Sequence, residues 1–253
     1  MSFELGAAVS FALLLAGADG QAEAQRPVTA TLTGLPRDVA CAASSPATKP
    51  VVSLTIAAGR ETAKKLFGPG DAVIVSGGTA QGVRPGDEFF VRRVVADNFT
   101  APVAGQKPPI SVHTSGMLRI VEAQTDVSIA TITYGCDGIG QGDYLERFEA
   151  PVMPPGTPAG TPDFARPGHL ILGDDRRQIG GAGEFMVIDR GSDHGLRPGQ
   201  RVTIFRQTLP DGSGPVSTVG LATVYVVRAE TAVVRIDQTN DAVYLGDLVA
   251  IHR

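Results

Sequence analysis

Past residue 50 the chain alternates apolar and polar positions in short runs, as at Ala72/Ile74, Phe89/Val91 and Val224/Val226. A period of two places alternate side chains on opposite faces of an extended backbone, so these runs predict half-buried β-strands. One pattern occurs twice: GDAVIVSGGTAQGVRPGDEFFVRR (residues 70–93) returns without a gap as GEFMVIDRGSDHGLRPGQRVTIFR (residues 183–206). The correspondence continues from GMLRIVEAQTDVSIATI (116–132) to GLATVYVVRAETAVVRI (220–236), and from GDYLERF (142–148) to GDLVAIH (246–252). Between these blocks the offset falls from 113 to 104 residues, which puts a longer connection in the first copy, around residues 97–114. Loops absorb such length changes and strands do not.

Each copy reads as five or six short strands. Gly82 and Gly195 occupy a turn that calls for a positive φ, and the Pro85-Gly86 and Pro198-Gly199 pairs supply the next reversal. Gly142-Asp143 and Gly246-Asp247 mark a further turn, in which the carboxylate is expected to accept hydrogen bonds from nearby backbone amides. Only Glu61–Leu66 has helical character. The fold class predicted is all-β: two tandem homologous small β-barrels, or barrel-like sandwiches, which avoid exposed sheet edges.

The expected organisation is a signal peptide over residues 1–24, an N-terminal extension over 25–50, a first barrel over 51–148, a linker over 149–167 and a second barrel over 168–253. The linker contains six prolines and no apolar period, which predicts an extended, semi-rigid segment. The signal is read from the uncharged run LGAAVSFALLLAGA (5–18) followed by Ala22-Glu23-Ala24; a buried or interfacial N-terminal helix is the alternative. No later run approaches spanning length, so the mature chain is expected to have no membrane span. The extension contains an alternating stretch over residues 27–34 that suits an edge strand.

The formal charge is −4, but residues 1–24 hold three acidic and no basic residues, which leaves 22 basic against 23 acidic residues in the rest. A near-neutral body without basic runs gives no electrostatic reason for a nucleic acid partner. With no Trp and 6% aromatics, stacking platforms for sugars or bases are scarce. Cys41 and Cys136 permit one disulfide in an exported protein, or are two unrelated small buried residues.

The arrangement GxxxGVRPGDEFFVRR, GMLRIVEAQTDVSIATI, GIGQGDYLERF resembles the C-terminal β-domain of the flagellar assembly protein T family. It is also similar to domains that follow LysM modules in bacterial envelope proteins. The resemblance implies a periplasmic, non-catalytic assembly or scaffold role.

Chemistry is hard to find. His113, His169, His194 and His252 are scattered without metal-ligand spacing. Ser192-Asp193-His194 contains the residue types of a nucleophilic triad, but a triad presents its groups from different elements. GIGQGD (138–143) lacks the Lys-Ser/Thr of a phosphate loop, and GDDRRQ (173–178) reads as a self-neutralised surface loop. No catalytic residue, metal site or cofactor is therefore expected. The reading is a periplasmic or extracellular envelope scaffold that binds other envelope proteins or peptidoglycan, with the 97–114 loop as first candidate. The alternatives are a homo-oligomeric subunit that adds its N-terminal strand to a neighbour, and a hydrolase with a site between the barrels around His169 or His194.

Overall fold

The computed structural model describes residues 34–61, 63–95, 103–156, 160–174, 177–209 and 214–253. The expected signal peptide, and all of the N-terminal strand except Gly34, lie outside the described residues, as does the start of the 97–114 loop.

Among the described residues, sixteen strands and one short α-helix follow one another in chain order. The first half contains β1 (Ile56–Gly59), β2 (Leu66–Phe67), β3 (Ala72–Val75), β4 (Glu88–Val95), β5 (Ser111–Ala123), β6 (Ser128–Gly135), β7 (Ile139–Gly140) and β8 (Tyr144–Arg147). The second contains β9 (Pro162–Gly173), β10 (Ile179–Gly180), β11 (Phe185–Ile188), β12 (Arg201–Gln207), β13 (Val216–Val227), β14 (Ala232–Thr239), β15 (Val243–Tyr244) and β16 (Leu248–His252). The second half forms a closed six-stranded barrel in the order β11-β14-β13-β12-β16-β9. The first half forms a curled six-stranded sheet in the matching order, β3-β6-β5-β4-β8 with β1 beside β3. Its edges β1 and β8 meet at a bridge between Thr55 and Tyr144, where Leu145 N–H donates to Leu54 C=O at 2.9 Å. The short pairs β2–β7 and β10–β15 stand apart from these sheets.

The curvature has a local cause that is the same in both halves. Register shifts interrupt β4/β5 between Val91 and Arg92, and β12/β13 between Ile204 and Phe205. Two more interrupt β5/β6 at Met117/Leu118 and Ile120/Glu122, and β13/β14 at Leu221/Ala222 and Val224/Val226. A bulge bends its strand and increases the local twist, so the long strands β5 and β13 wrap around the core instead of lying flat. Glycine spacing supports the same geometry. A Cβ on Gly78 would lie 1.9 Å from Gln124 C=O, and one on Gly191 would lie 2.2 Å from Arg228 C=O, so only glycine lets each turn close on the following hairpin.

Inward-facing positions form one apolar core per half. Val73, Val75, Phe89, Val91, Leu118 and Ile132 fill the curled sheet. Leu170, Met186, Ile188, Ile204, Val234 and Ile236 fill the barrel.

Three elements differ from expectation. Of the residues read as helical, Thr62 lies outside the described residues and the others form no helix: β2 begins at Leu66, and Phe67 is buried and pairs with Ile139. A turn and a half of helix has too few internal bonds to compete with that burial. Strand β9 begins at Pro162, inside the stretch assigned to the linker, and pairs Pro162 with His252 and Asp163 with Ile251. The N-terminal extension contains helix α1 (Leu35–Cys41), with Pro36 in its first turn and Asp38 near its N-terminus.

Helix α1 and the residues after it connect the two sheets. Val39, Ala42 and Ala43 pack with Ile171, Phe185, Val187 and Val233 on the outside of the barrel. Ala40 packs with Phe90 and Met117 on the outside of the curled sheet. Cys41 forms a disulfide with Cys136, just beyond β6, with the Cα atoms 5.6 Å apart. The polar contacts alternate along the chain. Ala43 N–H donates to Asp174 of the barrel at 3.2 Å, Ser44 pairs with Val112 of the curled sheet, and Thr231 of the barrel donates to Ser45 C=O at 2.7 Å. The barrel and the curled sheet hold together as a single unit.

Candidate functional site

The turn residues singled out in the sequence have structural work. Gly82, Gly86, Gly142, Gly195, Gly199 and Gly246 all adopt positive φ. The Ser192-Asp193-His194 turn matches the Thr79–Gln81 turn of the first half. In the latter, Gly78 N–H donates to Gln81 Oε1 at 2.7 Å; in the former, Gly191 N–H donates to His194 Nδ1 at 3.2 Å. The histidine thus replaces a glutamine as the acceptor that closes a turn, and its ring is directed at its own backbone. The other histidines are separate. His113 meets Ser111 Oγ, His252 meets Thr203 Oγ1, and His169 meets Asp189, with Nδ1 2.9 Å from Oδ2. Among the described residues no three His, Cys, Asp or Glu side chains gather as a metal site would require.

Asp143 and Asp247 accept the local amides that the sequence suggested, from Gly140 at 3.0 Å and Tyr244 at 2.7 Å. Each also binds an arginine that sequence reasoning missed. Arg93 donates Nε and Nη2 to the two oxygens of Asp143, both at 2.8 Å. Arg206 does the same to Asp247 at 2.6 and 2.7 Å. Both carboxylates are buried, and the fork-shaped geometry is the strong form of this pair. The arginine pKa values are raised, chiefly by the hydrogen bonds to the carboxylates. Arg93 and Arg206 stand at equivalent places in the repeated GDEFFVRR and GQRVTIFR blocks, which was the available signal.

Asp189 gives a pH-dependent contribution to stability. Burial raises its pKa, but the hydrogen bonds from the His169 ring and backbone, together with Arg190, outweigh this and hold it below 3.8. Because the folded value lies below the unfolded one, the ionised carboxylate stabilises the fold above about pH 4, and this stabilisation is lost as pH falls through the folded value. The difference in urea midpoint between the protein and Asp189→Asn is therefore expected to shrink between about pH 5 and pH 2. A difference that stays constant over that range would contradict the assignment.

A concave region with buried polar groups lies where the curled sheet, the barrel and the α1 segment meet. It is a cleft of about 470 Å³, with apolar walls from Val39, Ala42, Phe90, Tyr225, Val227 and Val233. Arg92 and Arg228 line it from the two sides. Arg92 stacks on the Phe90 ring, with the guanidinium 4.6 Å from the centroid, and pairs with Glu146 at 3.1 Å. Its side chain is 12% exposed and its Nε has no hydrogen-bond partner. Arg228 Nε is also buried and unpartnered. So is the hydroxyl of Tyr144, which stands opposite Arg92 in the β4/β8 register. Burial pushes the Arg92 pKa below the usual guanidinium range, opposed by Glu146 and Tyr144 and reinforced by Arg228. Burial raises the Tyr144 pKa from 10.0, while Arg92 pulls it back.

On the opposite side of α1 lies a second cleft of about 340 Å³, lined by Cys41, Cys136, Asp174, Arg177 and Glu184. Its charges are internally matched, since Arg177 pairs with Glu184. Among the described residues no helix is long and apolar enough to cross a membrane. Compared with known proteins, the chain matches no family model, and no curated protein matches it significantly.

Proposed function

We propose that the chain is a non-catalytic protein of the bacterial cell envelope, in which tandem homologous β-domains form a fixed scaffold for binding another envelope component. The observation that carries this reading is the segment from Leu35 to Ser45. It bonds to both sheets, and beside it a cleft opens between them. A disulfide that anchors such a segment is maintained in an oxidising compartment, which agrees with the expected export signal. The matching strand order and bulge positions support descent of the two halves from one duplicated unit.

Duplication also shows where the halves have diverged. The position of Arg92 in the first half is held by Phe205 in the second, and that of Tyr144 by Leu248. Phe205 is buried against the Phe164 ring. The shared residues build turns and cores, whereas Arg92, which lines the cleft, has no arginine counterpart in the second half, as expected where binding has been added to a fold.

A photo-crosslinking side chain placed at Val152, an exposed residue on the cleft rim, tests the reading in intact envelopes. Val121, exposed on the curled sheet away from the cleft, is the control. The expected result is a defined set of envelope proteins or peptidoglycan fragments joined through Val152 and not through Val121. Equal products from both positions would contradict the cleft as the binding surface, and crosslinks only to copies of the same chain would favour a self-assembling subunit.

A further inference from the structure

We propose that the Cys41–Cys136 disulfide is a redox latch, opened in the folded protein by a dithiol reductant that enters the cleft beside α1, and that its opening frees the curled sheet from a segment the barrel retains. This deepens the reading of residues 35–45 as the part that fixes the two sheets, by naming what releases one of them. Both cysteines are half-buried and line the cleft of about 340 Å³, so a thiolate reaches the bond without unfolding of either core. The chain has two cysteines in all, so no internal thiol rearranges the bond and only an external one opens it.

The latch stands on the weaker side of the segment. Toward the barrel, Val39, Ala42 and Ala43 pack with Phe185, Val187 and Val233 in the larger of the two apolar clusters. Toward the curled sheet, Ala40 packs with Phe90 and Met117, and the further ties are the Ser44–Val112 bridge and Arg37 over the Tyr134 ring at 5.5 Å. A seven-residue helix does not hold its own shape in water, so once the bond opens the segment follows the larger contact. Opening takes two exchanges. A thiolate attacks one sulfur, the S–S bond breaks, and the other cysteine leaves as a thiolate and takes up a proton. While packing still holds Cys41 beside Cys136, that cysteine attacks the mixed disulfide in return and expels a monothiol. A dithiol instead resolves the mixed disulfide with its second thiol: it is oxidised by two electrons to its own disulfide, and both cysteines are released as thiols.

The test uses the full oxidised chain in native buffer with dithiothreitol or with 2-mercaptoethanol at an equal millimolar thiol concentration; freed cysteines are trapped with iodoacetamide and counted by mass. The expected result is complete reduction by dithiothreitol, first order in its concentration, at a rate that changes less than about twofold between no urea and about 1 M urea, whereas reduction through global unfolding accelerates about tenfold or more over that range. 2-Mercaptoethanol is expected to leave most of the chain oxidised. In the reduced protein, nuclear Overhauser contacts of Val39 with Val187 and Val233 should persist while those of Ala40 with Phe90 and Met117 disappear. Reduction that depends steeply on urea, equal reduction by both reagents, or Ala40 contacts that survive reduction would overturn the proposal. Crosslinks at Val152 in the oxidised protein decide the scaffold reading separately: their absence removes that reading and leaves the latch standing.

Discussion

Replacing both cysteines by serine, Cys41→Ser/Cys136→Ser, is expected to lower the free energy of unfolding by about 4 kcal/mol. The bond closes a loop with a sequence separation of 95, and in the chain-entropy description a cross-link over such a length removes about 4 to 5 kcal/mol of freedom from the unfolded chain. The native side of the balance matters too. Helix α1 is seven residues long, and a helix that short does not persist in water by itself. It depends on Val39 and Ala40 packing against opposite neighbours and on the bond at Cys41. Urea denaturation of the double variant beside the oxidised protein measures the loss, and adding reductant should bring the native protein to the variant's midpoint. A difference below about 1 kcal/mol would show that the segment is held by packing alone.

Arg206→Met is expected to cost about 3 to 5 kcal/mol, because it leaves the Asp247 carboxylate buried without its counter-charge. The side chain also donates to Ala242 C=O, pairs with Asp241 at 2.9 Å and lies over the Tyr244 ring. Its removal therefore loosens the whole turn that leads into β16. Arg93→Met should act similarly on the curled sheet through Asp143. The combination Arg206→Met/Asp247→Asn is expected to be less destabilised than the sum of the two single changes, since the second change removes the charge that the first exposes. Additive losses, measured as urea midpoints at constant slope, would mean that the pair is not coupled.

Much of the scaffold was legible because it depends on local chemistry. A turn that needs positive φ at Gly82 or Gly195, and a strand that alternates as at Phe89 and Val91, are written within a few residues. Duplication strengthened each of these signals by repeating it. What was not legible joins distant positions. Arg93 finds Asp143 across 50 residues, and Arg228 shares a cleft with Arg92 although neither has a partner nearby in the chain. Alternation shows that Arg92 lies on the opposite face from Val91, but not that this face is covered by another sheet. Helix α1 was missed for a related reason. The small residues in and just after it, Ala40, Ala42 and Ala43, carry no strong periodic signal, and their value is in letting two sheets approach one segment closely.

The central claim is that residues 35–45 fix the curled sheet against the barrel and so give the cleft one shape. Residual dipolar couplings of backbone amides in weakly aligned protein test it directly. A single alignment tensor should fit amides of both sheets in the oxidised protein, and two should be needed in Cys41→Ser/Cys136→Ser. Two tensors of different magnitude already in the oxidised protein would contradict the account, since the sheets would then move independently and the cleft would have no fixed geometry to recognise a partner.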